Sequence, residues 1–163
     1  MIRLTTKAEM ILRDYSSVWF ARLGYMDERE LKSMIYNEIR RLPNLIGGAG
    51  YVRSCERSVE AQKVFEEMDS SFSELRKISI IEHPVPQKIV SNKIRSANSI
   101  EEIFNLLVEY VMPVVVLKTE DAKLEEAGLK SDMPSDWDGE NRFARYDAVG
   151  IEMGQYNNVI KKP

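Results

Sequence analysis

The chain holds one cysteine and one histidine among 163 residues, and that scarcity removes several chemistries at once. Cys55 alone cannot close an internal disulfide, and with His83 alone it cannot furnish the four thiolate and imidazole ligands of a structural zinc site. A reducing, cytoplasmic setting is the expectation. Purely apolar runs stay as short as Val114 to Leu117, far below the roughly 18–20 residues a membrane span needs, so no membrane association is expected. Ile2 to Arg13 mixes Arg3, Lys7, Glu9 and Arg13 among its apolar residues and does not read as a secretory signal. No Gly-x-Ser-x-Gly elbow occurs, which removes the usual support for a serine hydrolase. Gly47-Gly48-Ala49-Gly50 follows a helical pattern and lacks the Lys-Ser/Thr ending of a phosphate loop, so it reads as a linker.

What is present fits one domain, 1–163, long enough to bury a core. The net charge of −3 conceals an asymmetry: residues 1–99 carry 16 basic and 13 acidic groups, residues 100–163 carry 7 and 13. The densest basic stretch is Arg76, Lys77, Lys88, Lys93 and Arg95, opposed only by Glu82. It reads either as a phosphate-binding field or as a solvated helix face.

Periodicity divides the chain into three segments. In 1–76 the spacing of Leu4, Ala8, Ile11, Leu12, Tyr15, Trp19 and Leu23 predicts an amphipathic helix ended by Gly24. Asp27 with Glu30 reads as a capping box opening a second helix, paired with the first and stopped by Pro43. A third helix is expected over 58–75, on the stripe Val59, Val64, Phe65, Met68 and Phe72. In 78–128, Ile78 to Ile81 reads as a strand, 85–95 as a short helix, and Ser99 with Glu102 as the cap of a helix ending before Pro113. Val114 to Leu117 reads as a buried strand running into a helix capped by Thr119 and stopped by Gly128. In 129–163, turn residues surround Trp137, Phe143 and Tyr146, aromatics expected to anchor the tail. The fold class is therefore α+β, mainly helical with a small β-sheet, N-terminal helices leading into a ββα-like core.

Chemistry concentrates at two strand ends. His83, in Glu82-His83-Pro84-Val85-Pro86, is a candidate general base because imidazole titrates near neutral pH and the prolines hold it. Glu120 and Asp121 stand where the second strand enters a helix, and their carboxylates are candidate ligands of a divalent metal. The blander alternatives are a histidine bonded to backbone in a proline-rich turn and two acids that complement a helix dipole.

This ordering resembles the HNH, or His-Me finger, nuclease family, through Glu82, His83 and Pro86 on the first strand and the junction Leu117 to Leu124 on the second. The resemblance covers about residues 78–128. It implies that His83 activates a water against a DNA or RNA phosphate, DNA ahead of RNA, beside a Mg or Mn ion held by Asp121, with Glu120 and Glu82 as further ligands. The chain departs from the family in having a whole helix between the two strands, no uniquely placed middle Asn and no closing His.

In the tail, Arg142 and Arg145 stand three apart, either as a fork for nucleic-acid phosphate beside Tyr146 or as partners of the nearby acids Asp136, Asp138 and Glu140. Cys55 between Arg53 and Arg57 reads as a small buried residue. Two functions follow: a metal-dependent endonuclease, and a non-catalytic protein-binding inhibitor or immunity-type module.

Overall fold

The amphipathic spacing of the first 47 residues produces a helical hairpin. In the computed structural model, which describes residues 6–47 and 55–154, α1 spans Thr6–Leu23 and α2 spans Glu28–Gly47. The Asp27 carboxylate caps α2 by accepting from the Arg29 and Glu30 amides at 2.8 and 2.9 Å. The helix does not stop at Pro43 as expected: it carries the proline inside its last turns and reaches Gly47. Pro43 forfeits one backbone bond, and the buried neighbours Leu42 and Ile46 hold the turn in place around it. Of the segment read as a linker, Gly47 to Gly50, Gly47 instead ends α2, and Gly48 to Gly50 lie outside the described residues, as do Met1 to Thr5.

The helix expected over 58–75 is two helices, α3 (Val59–Glu67) and α4 (Phe72–Ile78). Asp69 and Ser70 separate them with φ of 51° and 57°. Asp and Ser compete with the helix for their own backbone groups and suit such a reversal. Val64, Phe65 and Phe72 of the expected stripe pack on one cluster from both helices, whereas Val59 is exposed and Met68 is not part of that cluster.

The sheet has three strands in the order β1 (Glu56–Arg57), β3 (Val114–Leu117), β2 (Ser79–Glu82). β2 runs antiparallel to β3 with Ile80 opposite Val116, and β1 runs parallel to it with Glu56 opposite Val114. The adjacency of the two expected strands is thus observed, with β2 shifted one residue onward, and β1 is an addition. Strand alternation explains why β3 is apolar throughout. Val115 and Leu117 pack with Cys55, Ala61 and Leu75 under α3 and α4, whereas Val114 and Val116 pack with Leu124, Tyr146 and Ile151 on the other face.

The insertion between β2 and β3 consists of α5 (Gln87–Arg95) and α6 (Ile100–Tyr110). Both join α1 and α2 in one core that includes Trp19, Ile35, Ile39, Ile94 and Leu107. The packing layers therefore cut across the segments 1–76, 78–128 and 129–163. After β3 the chain enters α7 (Lys118–Glu126), which begins before Thr119 rather than at it. Glu120 supplies the cap instead, accepting from the Leu117 amide at 2.8 Å. Gly128, at φ 71°, ends the helix, and Leu129 donates back to Leu124 at 2.8 Å. The tail folds onto the body through α8 (Ala144–Asp147), where Tyr146 is fully buried. No described helix is long and apolar enough to cross a membrane.

Candidate functional site

β2 ends at Glu82, and the residues after it turn between prolines before α5 begins. There His83 opens onto a cleft of about 860 Å³, walled by Tyr36 and Pro43 from α2, by Pro86 and Pro113, and bounded by Lys130 and Ser131 beyond α7. His83 Nδ1 is buried with no hydrogen-bond partner among the described residues. Burial pushes the imidazole pKa down to about 4, with a hydrogen bond to the Tyr110 backbone offsetting part of the effect. The ring is therefore neutral at pH 7.

Arg145 forms the floor of the cleft. Its guanidinium, 1% exposed, donates through Nε to the Pro84 carbonyl at 2.9 Å and through Nη1 to the Leu129 and Lys130 carbonyls at 3.2 and 2.9 Å. Nη2 reaches the His83 carbonyl at 2.7 Å, Glu82 Oε2 at 2.9 Å and the Tyr146 hydroxyl at 3.2 Å. Guanidinium has five N–H groups, and these partners occupy all of them. The tail arginine is thus an anchor of the β2 turn, with no N–H left for a phosphate.

Each expected metal-ligating carboxylate has internal partners. Glu82 accepts from the Tyr146 hydroxyl at 2.8 Å as well as from Arg145. Burial raises its pKa, Arg145 and Tyr146 oppose the rise, and the Asp121 charge adds to it. Asp121, buried on α7, pairs with Lys130 at 3.4 Å, and Lys130 also holds Glu125 at 2.8 Å. Glu120 points elsewhere: Oε2 takes the Ser58 hydroxyl at 2.6 Å along with the Leu117 amide. The structure therefore brings Glu82 and His83 to one cleft, whereas Asp121, held by Lys130, and Glu120 are not part of its lining. Among the described residues no three of His, Cys, Asp and Glu form a group that could hold a metal. A Mg ion asks for near-octahedral oxygen ligation, and this donor set as arranged does not fit it.

The basic stretch also divides. Lys77 pairs with Glu74 at 2.7 Å, Lys93 donates to the Gly139 carbonyl at 3.0 Å with its ammonium over the Trp137 ring, and Arg95 meets Glu28 at 2.5 Å. Arg76 is exposed on α4, away from the cleft lining. Only Lys88 of the five lines the cleft. Arg142 is buried against Glu56 and Glu109. Cys55 is a buried thiol whose pKa burial pushes up to about 12, so it is protonated and unreactive at neutral pH.

Two cations that sequence reasoning passed over, Arg40 on α2 and Lys130 after α7, join Lys88 at the cleft, and all three are exposed. No local pattern links residues 40, 88 and 130. Only the packing of α2 beside α5 and the docking of the tail bring them together. Comparison of the chain with protein-family models, curated proteins and solved structures finds no match.

Proposed function

We propose that this chain is a non-catalytic protein-binding module whose partner occupies the cleft beside His83. The observation that carries the reading is the state of the candidate catalytic groups: Glu82, Glu120 and Asp121 are each engaged by the protein itself. His83 is half-buried and neutral, its Nδ1 buried without a hydrogen-bond partner among the described residues. The cleft, by contrast, is open, and at about 860 Å³ it lies within the usual range of binding clefts. Its proline and tyrosine walls offer rigid apolar contact at low entropic cost.

A second reading, a finger-type endonuclease with His83 as base, is favoured by one observation: β2, β3 and α7 follow one another in space with His83 just past the end of β2. Incubation of the purified protein with supercoiled plasmid and with RNA, in Mg²⁺ or Mn²⁺, separates the two. The binding module leaves both substrates intact. Cleavage that disappears in His83→Ala would establish the nuclease and end the first reading.

A further inference from the structure

The sheet has one covered edge and one open one. Beside β1, Met153 bridges Ser58, and the Gly154 amide donates to the Arg57 carbonyl at 2.9 Å, so the tail covers that side. The direction of the backbone groups in β3 fixes what β2 presents on the other side. The Val115 carbonyl accepts from the Ser58 amide at 3.1 Å and so points toward β1. Alternation then turns the amides and carbonyls of Val114 and Val116 toward β2, where they meet Glu82 and Ile80. A trans peptide plane points its N–H opposite to its C=O. The N–H and C=O of Ile81 therefore point away from the sheet, and so does the N–H of His83, which shares a plane with the Glu82 carbonyl. None of these three groups has a hydrogen-bond partner among the described residues.

We propose that this edge is the recognition element of the cleft: an extended segment of a partner protein adds to β2 as a fourth strand beside His83. The proposal rests on the protein-binding reading and names how the partner is held. Ile81, Glu82 and His83 all line the cleft, so the open edge faces its space. An antiparallel segment supplies what the edge lacks. Its residue opposite Ile81 exchanges both bonds of a ladder pair, and the carbonyl two residues away accepts from the His83 N–H. Arg145 already holds the His83 carbonyl, so the added ladder ends there. A phosphodiester backbone has no N–H and leaves the Ile81 carbonyl unpaired, which selects polypeptide over nucleic acid. Charge makes no choice, because Lys88, Lys130 and Arg145 each stand beside carboxylates of this chain: Asp132, then Asp121 and Glu125, then Glu82. β2 also lacks the usual protections of an edge, since Ser79–Glu82 contains no lysine or proline and its register with β3 has no bulge. Tyr36 and Pro43 of α2 and Lys130 and Ser131 line the same cleft, so the edge is set back between them. Two edges recessed in this way cannot approach to the roughly 4.7–4.9 Å that neighbouring strands need, which selects a single extended segment over the β2 of a second copy.

The test follows amide hydrogen exchange by NMR in the full natural chain, with two uncharged probes: an acetylated, amidated hexapeptide of alternating threonine and valine, and the same hexapeptide methylated on every backbone nitrogen. In the chain alone, the Ile81 amide is expected to be at least tenfold less protected than those of Ile80 and Glu82, which β3 holds. Saturating threonine–valine peptide should raise the protection of Ile81 and His83 at least tenfold and leave Ile80 and Glu82 within twofold of their starting values, equally at low and high salt. The methylated peptide should change none of them. An Ile81 amide as protected as Ile80 before any peptide is added, or one that the peptide leaves unchanged, overturns the proposal. Equal binding of the methylated peptide also overturns it, because contact without backbone bonding would then suffice, and the protein-binding reading would stand without it. Ile81 protection that rises with protein concentration, together with a dimer in sedimentation, overturns it in favour of a second copy. The same protection produced by an oligomer of deoxythymidine overturns it in favour of nucleic acid. Plasmid cleavage abolished by His83→Ala is a separate result, and it removes the protein-binding reading itself whatever the peptides do.

Discussion

Arg145 Nη2 meets Glu82 Oε2 at 2.9 Å, and through this pair the chain's tail fixes the turn that carries the histidine. The same guanidinium holds the His83 carbonyl, 62 residues away in sequence. The geometry of the cleft therefore depends on a contact between the beginning of the β2 turn and α8. Removing one partner of a buried, hydrogen-bonded ion pair leaves an uncompensated charge and costs about 3–5 kcal/mol. Arg145→Met is expected to lower the unfolding free energy measured by urea denaturation by that amount, while Glu82→Gln/Arg145→Met, which removes both charges of the pair, should recover part of it. Additive losses in the double variant would show that the two side chains act independently.

Ser58 and Glu120 form a second long-range fastening. The Ser58 hydroxyl donates to Glu120 at 2.6 Å and accepts from the Ala61 amide at 3.1 Å, so one oxygen caps α3 and also ties it to the start of α7. Losing an N-cap costs about 0.5–2 kcal/mol, and a buried hydrogen bond to a charged group about 1.5–3 kcal/mol. Ser58→Ala and Glu120→Ala should each destabilise by about 2 kcal/mol in chemical denaturation. The double variant should lose clearly less than the sum, because each single change already breaks the shared bond. Glu120 acts here as a structural acid, and Glu120→Gln is expected to retain much of the stability.

These contacts mark where legibility ends. The strand at Val114 to Leu117 was readable residue for residue, since four consecutive aliphatics followed by a helix start suit only a doubly covered strand. The Ser99 cap was readable too: its hydroxyl takes the Glu102 amide at 3.1 Å, although Glu102 reaches back to the Asn98 amide instead of that of Ser99. β1 was not, because two residues carry no period, and its pairing with β3 is settled by tertiary contact. For the site, His83 and Lys88 were visible as candidates. Arg40 and Lys130 were not, since each looks like an ordinary surface cation until α2 and the tail are folded beside β2.

The break at Asp69 and Ser70 offers a stabilising change. An L-residue in the left-handed region costs roughly 1–2 kcal/mol, less for Asp, whose side chain bonds locally. Ser70, at φ 57°, is therefore the better target. Ser70→Gly relieves the backbone, and the extra freedom glycine gives the unfolded chain cancels part of the gain. A net increase of about 0.5–1 kcal/mol is expected in the denaturation free energy. A loss of stability would mean that the Ser70 side chain, not its backbone, holds the α3–α4 turn.

His83 gives the fold a pH dependence of definite sign. Its pKa falls from the ordinary 6.5 to about 4 because burial disfavours the imidazolium. Between those values the unfolded chain binds a proton that the folded chain does not, so the contribution of His83 to stability is complete above pH 6.5 and is lost as pH falls toward 4. The full difference corresponds to about 3 kcal/mol. Glu82 works in the opposite direction, because its raised pKa favours the folded state as pH falls, and the slope of the natural chain mixes the two. The difference between the natural chain and His83→Gln isolates the histidine. Urea midpoints measured from pH 7 to pH 4.5 should decline more steeply for the natural chain than for His83→Gln, the gap widening on acidification. Parallel profiles would show that the imidazole takes up its proton as readily in the folded chain as in the unfolded one. His83 would then titrate near its ordinary pKa on the cleft wall, and the protein-binding reading would lose the neutral histidine on which it draws.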